Sequence, residues 1–286
     1  MTSLDSSELT ASADVIARGD ATLGIEFGST RIKAVLIDPS AASLASGAHD
    51  WENHMVDGLW SYPIEDVWAG LQDAYAKLAA AVKETHGVEL RRLRGLGISA
   101  MMHGYLALDA EGNLLAPFRT WRNVNTGPAT EVLSKELDFN MPHRWSAAHL
   151  YQAILDREPH VERLDYLTTL SGLVHRRLTG QRVLGIGDAS GMFPIDSGKA
   201  DYDQRRVEIF DGLIAERGFP WTFRDVFPKV LVAGEDAGVL TAEGAALIDP
   251  SGTLQPGVPM CPPEGDAGTG MVATNAVAPR TGNVSA

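Results

Sequence analysis

Gly24-Ile-Glu-Phe-Gly-Ser-Thr-Arg-Ile-Lys33, continued by Ala34-Val-Leu-Ile-Asp38, reads as two strands joined by a tight turn. The first strand delivers one carboxylate, Glu26, close to the turn made by Gly28, Ser29 and Thr30, and the second carries Lys33. Backbone N–H groups and hydroxyls in such a turn can face a phosphate. An ordinary hairpin with a glycine turn produces the same short pattern, so the rest of the chain has to decide.

The 286 residues are 44% apolar, enough for a substantial core in one large or two modest domains. A net charge of -13 argues against a nucleic-acid partner, which needs a basic face. The single cysteine, Cys261, excludes an internal disulfide framework and a cysteine-rich metal site. No apolar run approaches the roughly 20 residues that span a bilayer. The segment from Met1 to Asp20 carries Asp5, Glu8 and Asp14 rather than the basic start of a leader, and reads as a loose or weakly helical polar tail. These features set the expectation of a cytoplasmic protein with no membrane partner, and they leave homodimerisation open.

Beyond the hairpin, residues 43–51 supply a third short strand and 58–63 a loop. Apolar spacing from Ile64 through Val67, Leu71, Tyr75, Leu78 and Val82 predicts a core-facing helix that ends near Gly87. Residues 93–99 read as a buried strand, and 105–108 with the turn at 109–113 as a neighbouring hairpin. Helices are expected around 127–138, 145–157, 166–179, 204–216 and 241–247, with a strand at 183–186. The end, from Val258 to Met271, reads as a strand entering a glycine-rich turn and then a closely packed helix of small residues. Alternating strands and helices imply an α/β layer fold.

Several short constellations could carry chemistry. Gly265-Asp266-Ala-Gly-Thr-Gly270 sets a carboxylate at a bend before a helix, where it can act as a general base or simply cap the helix. Ile98-Ser-Ala-Met-Met-His-Gly104 ends a strand with Met102 and His103, the place where open α/β sheets present ligand groups. In Pro117-Phe-Arg-Thr-Trp-Arg-Asn123, the Trp121 indole can cover an apolar sugar face while Arg119 and Asn123 reach hydroxyls; core packing would suit the tryptophan equally. Gly187-Asp-Ala-Ser-Gly191 offers another acid, Asp188, more in keeping with capping or packing.

In order along the chain, Gly24-Ile-Glu-Phe-Gly-Ser-Thr30, Gly97-Ile-Ser-Ala-Met-Met-His-Gly104, Trp121-Arg-Asn123, Asp188-Ala-Ser-Gly191 and Gly265-Asp266 resemble the N-terminal domain of FGGY-family carbohydrate kinases, xylulokinases in particular. The resemblance covers about residues 22–286. It implies a ribonuclease-H-like (actin/hexokinase-type) α/β domain, a mixed sheet flanked by helices, that transfers the γ-phosphate of ATP to a small sugar, a ketopentose such as xylulose. By the same resemblance Glu26 helps organise Mg2+, Gly28, Ser29, Thr30, Lys33 and Gly265 attend the phosphates, and Asp266 is the base. Met102, His103, Trp121, Asn123 and Asp266 line the sugar.

The chain departs from the family pattern in several places. Glu26 stands where Asp is usual, Ala100-Met101 where Gly-Gln is common, and Arg122-Asn123 where Asn-Asp is found. In the family, a segment like Arg280 to Ala286 runs on into a second phosphate loop and an adenosine-holding domain. The expectation is therefore a piece of a longer kinase, inactive alone. A non-catalytic sugar-binding or regulatory module and an actin-like ATPase are the competing classes. A dinucleotide oxidoreductase fails because Met192-Phe-Pro194 stands where a helix must begin, and Gly198-Lys199-Ala200 lacks the rest of a P-loop.

Overall fold

A computed structural model of the chain describes residues 6–278 and 280–282. The sequence reads here as a loose or weakly helical polar tail, and Ser6–Arg18 (α1) is a helix that buries Ile16 in the core. The first five residues of that tail, and residues 283–286 at the other end, lie outside the described residues. Gly19, at φ 80°, turns the chain into Thr22–Phe27 (β1). Arg31–Ile37 (β2) and Ser43–Asp50 (β3) complete an antiparallel meander.

Period-two alternation sends Leu23, Ile25 and Phe27 into the core and leaves Glu26 on the opposite face. The expected loop at 58–63 is instead half of a hairpin, His54–Val56 (β4) with Leu59–Ser61 (β5). Its Asp57-Gly58 turn has positive φ at both residues, 49° and 80°, the geometry an Asp-Gly pair favours. Ile64–His86 (α2) follows and stops at left-handed Gly87, whose N–H reaches the Lys83 carbonyl. Gly95–Ala100 (β6) then joins β1 in parallel.

Between β6 and the last strand the chain builds a second lobe. Leu106–Leu108 (β7) closes a turn at Asp109–Asn113, but its ladder partner is Tyr166–Thr168 (β8), which the periodicity assigns to a helix. Alternation in β8 sends Tyr166 and Leu167 into two different cores, so the segment is extended and the helix Leu170–Thr179 (α5) starts later. Gly127–Glu136 (α3) and Ser146–Leu155 (α4) precede β8. After α5 come Val183–Gly185 (β9), the single turn Ile186–Ala189 (α6), and the small hairpin Ile195–Asp196 (β10) with Asp201–Tyr202 (β11). Gln204–Ile214 (α7), Phe223–Val226 (α8), Lys229–Leu231 (β12, parallel to β9) and Ala242–Ile248 (α9) follow.

Glu264–Gly265 (β13) returns to the sheet parallel to β6, giving the order β13-β6-β1-β2-β3. Asp266–Ala273 (α10) springs directly from it. It is a helix, as expected, but none of its residues is buried, and Val272 is 70% exposed.

Candidate active site

Three neighbouring parallel strands, β1, β6 and β13, end on the same side of the sheet, and each hands over to one of the motifs read from the sequence. The turn Gly28-Ser29-Thr30 follows β1, Met102-His103 follows β6, and Asp266 follows β13. Such carboxyl ends are where α/β sheets bind ligands.

The turn is held by its carbonyls. Gly28 O accepts from the Trp51 indole at 2.8 Å, Ser29 O from the Tyr62 hydroxyl at 2.6 Å, and Thr30 O from the Trp51 backbone N–H at 3.1 Å. Gly28 N–H closes the turn onto Arg31 O. Among the described residues, no hydrogen bond is recorded for the Ser29 and Thr30 amides, so the turn offers donors of the kind a phosphate needs. Glu26 and Lys33 are cross-strand partners, and Ser99 and Glu264 continue the same register row on the face away from the core.

Glu26 makes no recorded hydrogen bond or ion pair among the described residues, and no group of three or more metal-ligating side chains occurs among them. A carboxylate without a partner among the described residues, beside a turn with free amides, is a donor set compatible with Mg2+, which keeps most of its waters and binds through one or two carboxylates plus phosphates.

Asp266 begins α10. Its Oδ1 accepts from Ala267 N–H at 2.9 Å and Met102 N–H at 3.3 Å, and the side chain is exposed. Glycine at 265 leaves room for Met102, since a Cβ there would run into the Met102 Cγ and force that side chain to move. His103 occupies left-handed backbone, φ 67°, strain of the sort that collects at functional sites. Its Nδ1 lies 3.1 Å from the Gly191 carbonyl, which can only accept, so Nδ1 carries the hydrogen. Burial holds the ring's pKa below the ordinary histidine value, so Nε2 is left as an acceptor. Gly191 makes room for this, since a Cβ would meet His103 Nδ1 at 2.7 Å.

Trp121 packs half-buried against the main core. The side chain of Asn123 is buried, and its polar atoms are occupied: Oδ1 accepts from Trp60 N–H at 2.9 Å, while Nδ2 donates to Trp60 O and Thr120 O. It clamps the loop rather than reaching a hydroxyl. Arg119 is likewise internal, paired with Glu158 and stacked over Tyr105.

Two acids gain importance from the structure. Asp188, fully buried, accepts from Thr169 and Ser171 hydroxyls at 2.7 and 2.5 Å. Burial, reinforced by the nearby Glu264 and Asp266 charges, pushes its carboxyl up to about 7. Glu264 lies over Gly185 and Gly187, accepting from the Asp188 N–H at 2.9 Å; burial raises its pKa also. The sequence signal for Glu264 was its place immediately before Gly265-Asp266. Trp51 and Tyr62 carried no comparable signal.

A mixed five-stranded sheet presenting a glycine turn, a Met-His pair and a carboxylate at adjoining strand ends defines a ribonuclease-H-like domain of the sugar-kinase type. The chain belongs to the FGGY family of carbohydrate kinases, whose N-terminal-domain model matches residues 21–272. It is similar to a xylulose kinase of Klebsiella pneumoniae, 23% identical over 78% of this chain and 44% of that protein. It is also similar to an L-fuculokinase of Escherichia coli K12, 21% identical over 79% of this chain and 47% of that protein. The fold matches the crystal structure of a xylulose kinase from Rhodospirillum rubrum at TM-score 0.75 and 19% identity, covering 91% of this chain and 52% of that one. The chain thus spans about half the length of the relatives it matches.

Proposed function

We propose that this chain is the acceptor- and base-bearing half of an ATP-dependent sugar kinase, working in the cytoplasm with a second domain that holds the nucleotide. The observation that carries the reading is the meeting at three adjacent strand ends of the Gly28–Thr30 turn, whose Ser29 and Thr30 amides have no hydrogen-bond partner among the described residues, with His103 and Asp266. In this reading the acceptor lies against Met102, His103 and Trp121. Nε2 of neutral His103 accepts from one of its hydroxyls, and Asp266 takes the proton of the hydroxyl that attacks the γ-phosphate. The Gly28–Thr30 turn and Lys33 hold the phosphates, Gly265 lets the backbone come close, and Asn123 shapes the loop that carries Trp121. Bound Mg2+, held through Glu26, would neutralise phosphate oxygens. Closure of a second domain over the cleft would exclude water, so the chain alone turns over negligibly. A ketopentose such as xylulose suits the Met102-His103 pair and the likeness to xylulose kinases.

The test uses this chain extended by its nucleotide-holding half, with ADP release followed across D-xylulose, L-fuculose and glycerol. Acceptor-stimulated release should appear with one of them, and its absence from a folded protein overturns the reading. Asp266→Asn should lower that release by about 10²–10⁴-fold while calorimetric acceptor affinity stays within about twofold. Undiminished release would remove Asp266 from the base role.

A further inference from the structure

Resting on the functional reading above, we propose that Arg122, Asn53 and Tyr62 form a positioning relay that couples the acceptor loop to the phosphate turn. The relay is a chain of donors running one way. Arg122 NH1 donates to Asn53 Oδ1 at 2.7 Å, Asn53 Nδ2 donates to the Tyr62 hydroxyl at 3.3 Å, and that hydroxyl donates to Ser29 O at 2.6 Å. Because guanidinium can only donate, it fixes the Asn53 amide with its NH2 toward Tyr62, and each bond polarises the next.

Both ends of the relay are anchored. The Arg122 guanidinium lies 3.6 Å from the centre of the Trp60 ring, and the backbone of Trp60 is clamped by Asn123 and by Thr120 N–H. Trp121, the indole of the acceptor wall, lies between these clamped residues in sequence. At the other end Tyr62 is 1% exposed and stacks on Trp51, ring centres 4.3 Å apart, and Trp51 holds the carbonyls on either side of Ser29. Burial raises the pKa of the Tyr62 hydroxyl, which keeps it a donor at neutral pH. An acceptor that orders the 120–123 loop therefore orders the carbonyls of the turn, and with them the direction of the Ser29 and Thr30 amides. Linkage makes the effect reciprocal.

The test is a pair of NMR titrations of the 286-residue chain. Magnesium tripolyphosphate, which engages the turn without needing an adenosine site, is followed at the Ser29 and Thr30 amides. The titration is run with and without the tightest-binding of D-xylulose, L-fuculose and glycerol. The acceptor should tighten tripolyphosphate about fivefold or more. Arg122→Met, which keeps an alkyl chain over Trp60, and Tyr62→Phe should each cut that factor below twofold, and the double variant should cut it no further. In Arg122→Met the affinity for each ligand alone should stay within twofold, a split that general loosening of the fold would not produce. A coupling factor unchanged in Arg122→Met overturns the relay.

Exchange of the Trp51 indole hydrogen in the ligand-free protein is the second arm. Arg122→Met should speed it several-fold, and an unchanged rate also overturns the relay. If the wild-type chain binds neither ligand, release by the extended protein still decides the functional reading, and the exchange rate decides whether Arg122 holds the turn.

Discussion

Asp188 sets a pH dependence that follows from its surroundings. Its Oδ2 is held by two hydroxyls, but its buried Oδ1 has no partner among the described residues, and the carboxyl is pushed from its usual value up to about 7. Between roughly pH 4 and 7 the folded protein keeps a proton that the unfolded chain has released, so this group's stabilisation falls as pH rises and is gone above about 7. The buried rings of His149 and His175, lowered to about 3 and about 4, act oppositely and remove stability as pH falls below 6.5. They are common to wild type and to Asp188→Asn, and so cancel in a comparison of the two. From pH 5 to pH 7 the wild type should lose on the order of 2 kcal/mol relative to Asp188→Asn, measured by urea unfolding at each pH. A difference that does not change with pH would mean that Asp188 is ionised throughout.

At the level of elements, α2 and the sheet approach closely because glycines face each other's neighbours. A Cβ on Gly47 of β3 would strike the Ala74 carbonyl and come within 2.5 Å of the Leu78 nitrogen, both helix backbone. On the helix side, a Cβ on Gly70 would meet Ile32 Cδ1 at 2.5 Å. Gly47→Ala must therefore lift the helix, at a cost of about 1–3 kcal/mol. Differential scanning calorimetry should show Tm lowered by ~2–4 °C for each kcal/mol; an unchanged Tm would mean that α2 can shift without loss. The meander, α2, β6 and the strand-end motifs were legible because apolar period and turn chemistry agree there. The β8 strand was not, since a three-residue segment with both faces buried has no period of its own. α1 was legible only as a loose or weakly helical tail, since its mostly polar sequence hides the side chains that dock it, buried Ile16 with Val15 beside it. Asn123 was misread because its residue type suits hydroxyl binding, and only coordinates reveal that backbone groups already occupy it.

At the scale of the whole molecule, the described residues form two large hydrophobic cores, one under the central sheet and one inside the inserted lobe, yet they are joined through shared strands. In β7, Leu106 and Leu108 enter the first core while Ala107 enters the second; in β8, Tyr166 enters the first and Leu167 the second. Because successive side chains in a strand point to opposite faces, neither core can lose this ladder alone. An independent lobe would show its own transition, as loosely joined domains do. Trp51 reports on the first core and Trp221, whose indole donates to Val161 O at 2.9 Å, on the second. With fluorotryptophan labelling, the 19F signals of the two should disappear at the same urea concentration and with the same slope. If the Trp221 signal were lost at a clearly lower concentration than that of Trp51, the lobe would be a separate cooperative unit, and the β7–β8 ladder would not bind the two cores together.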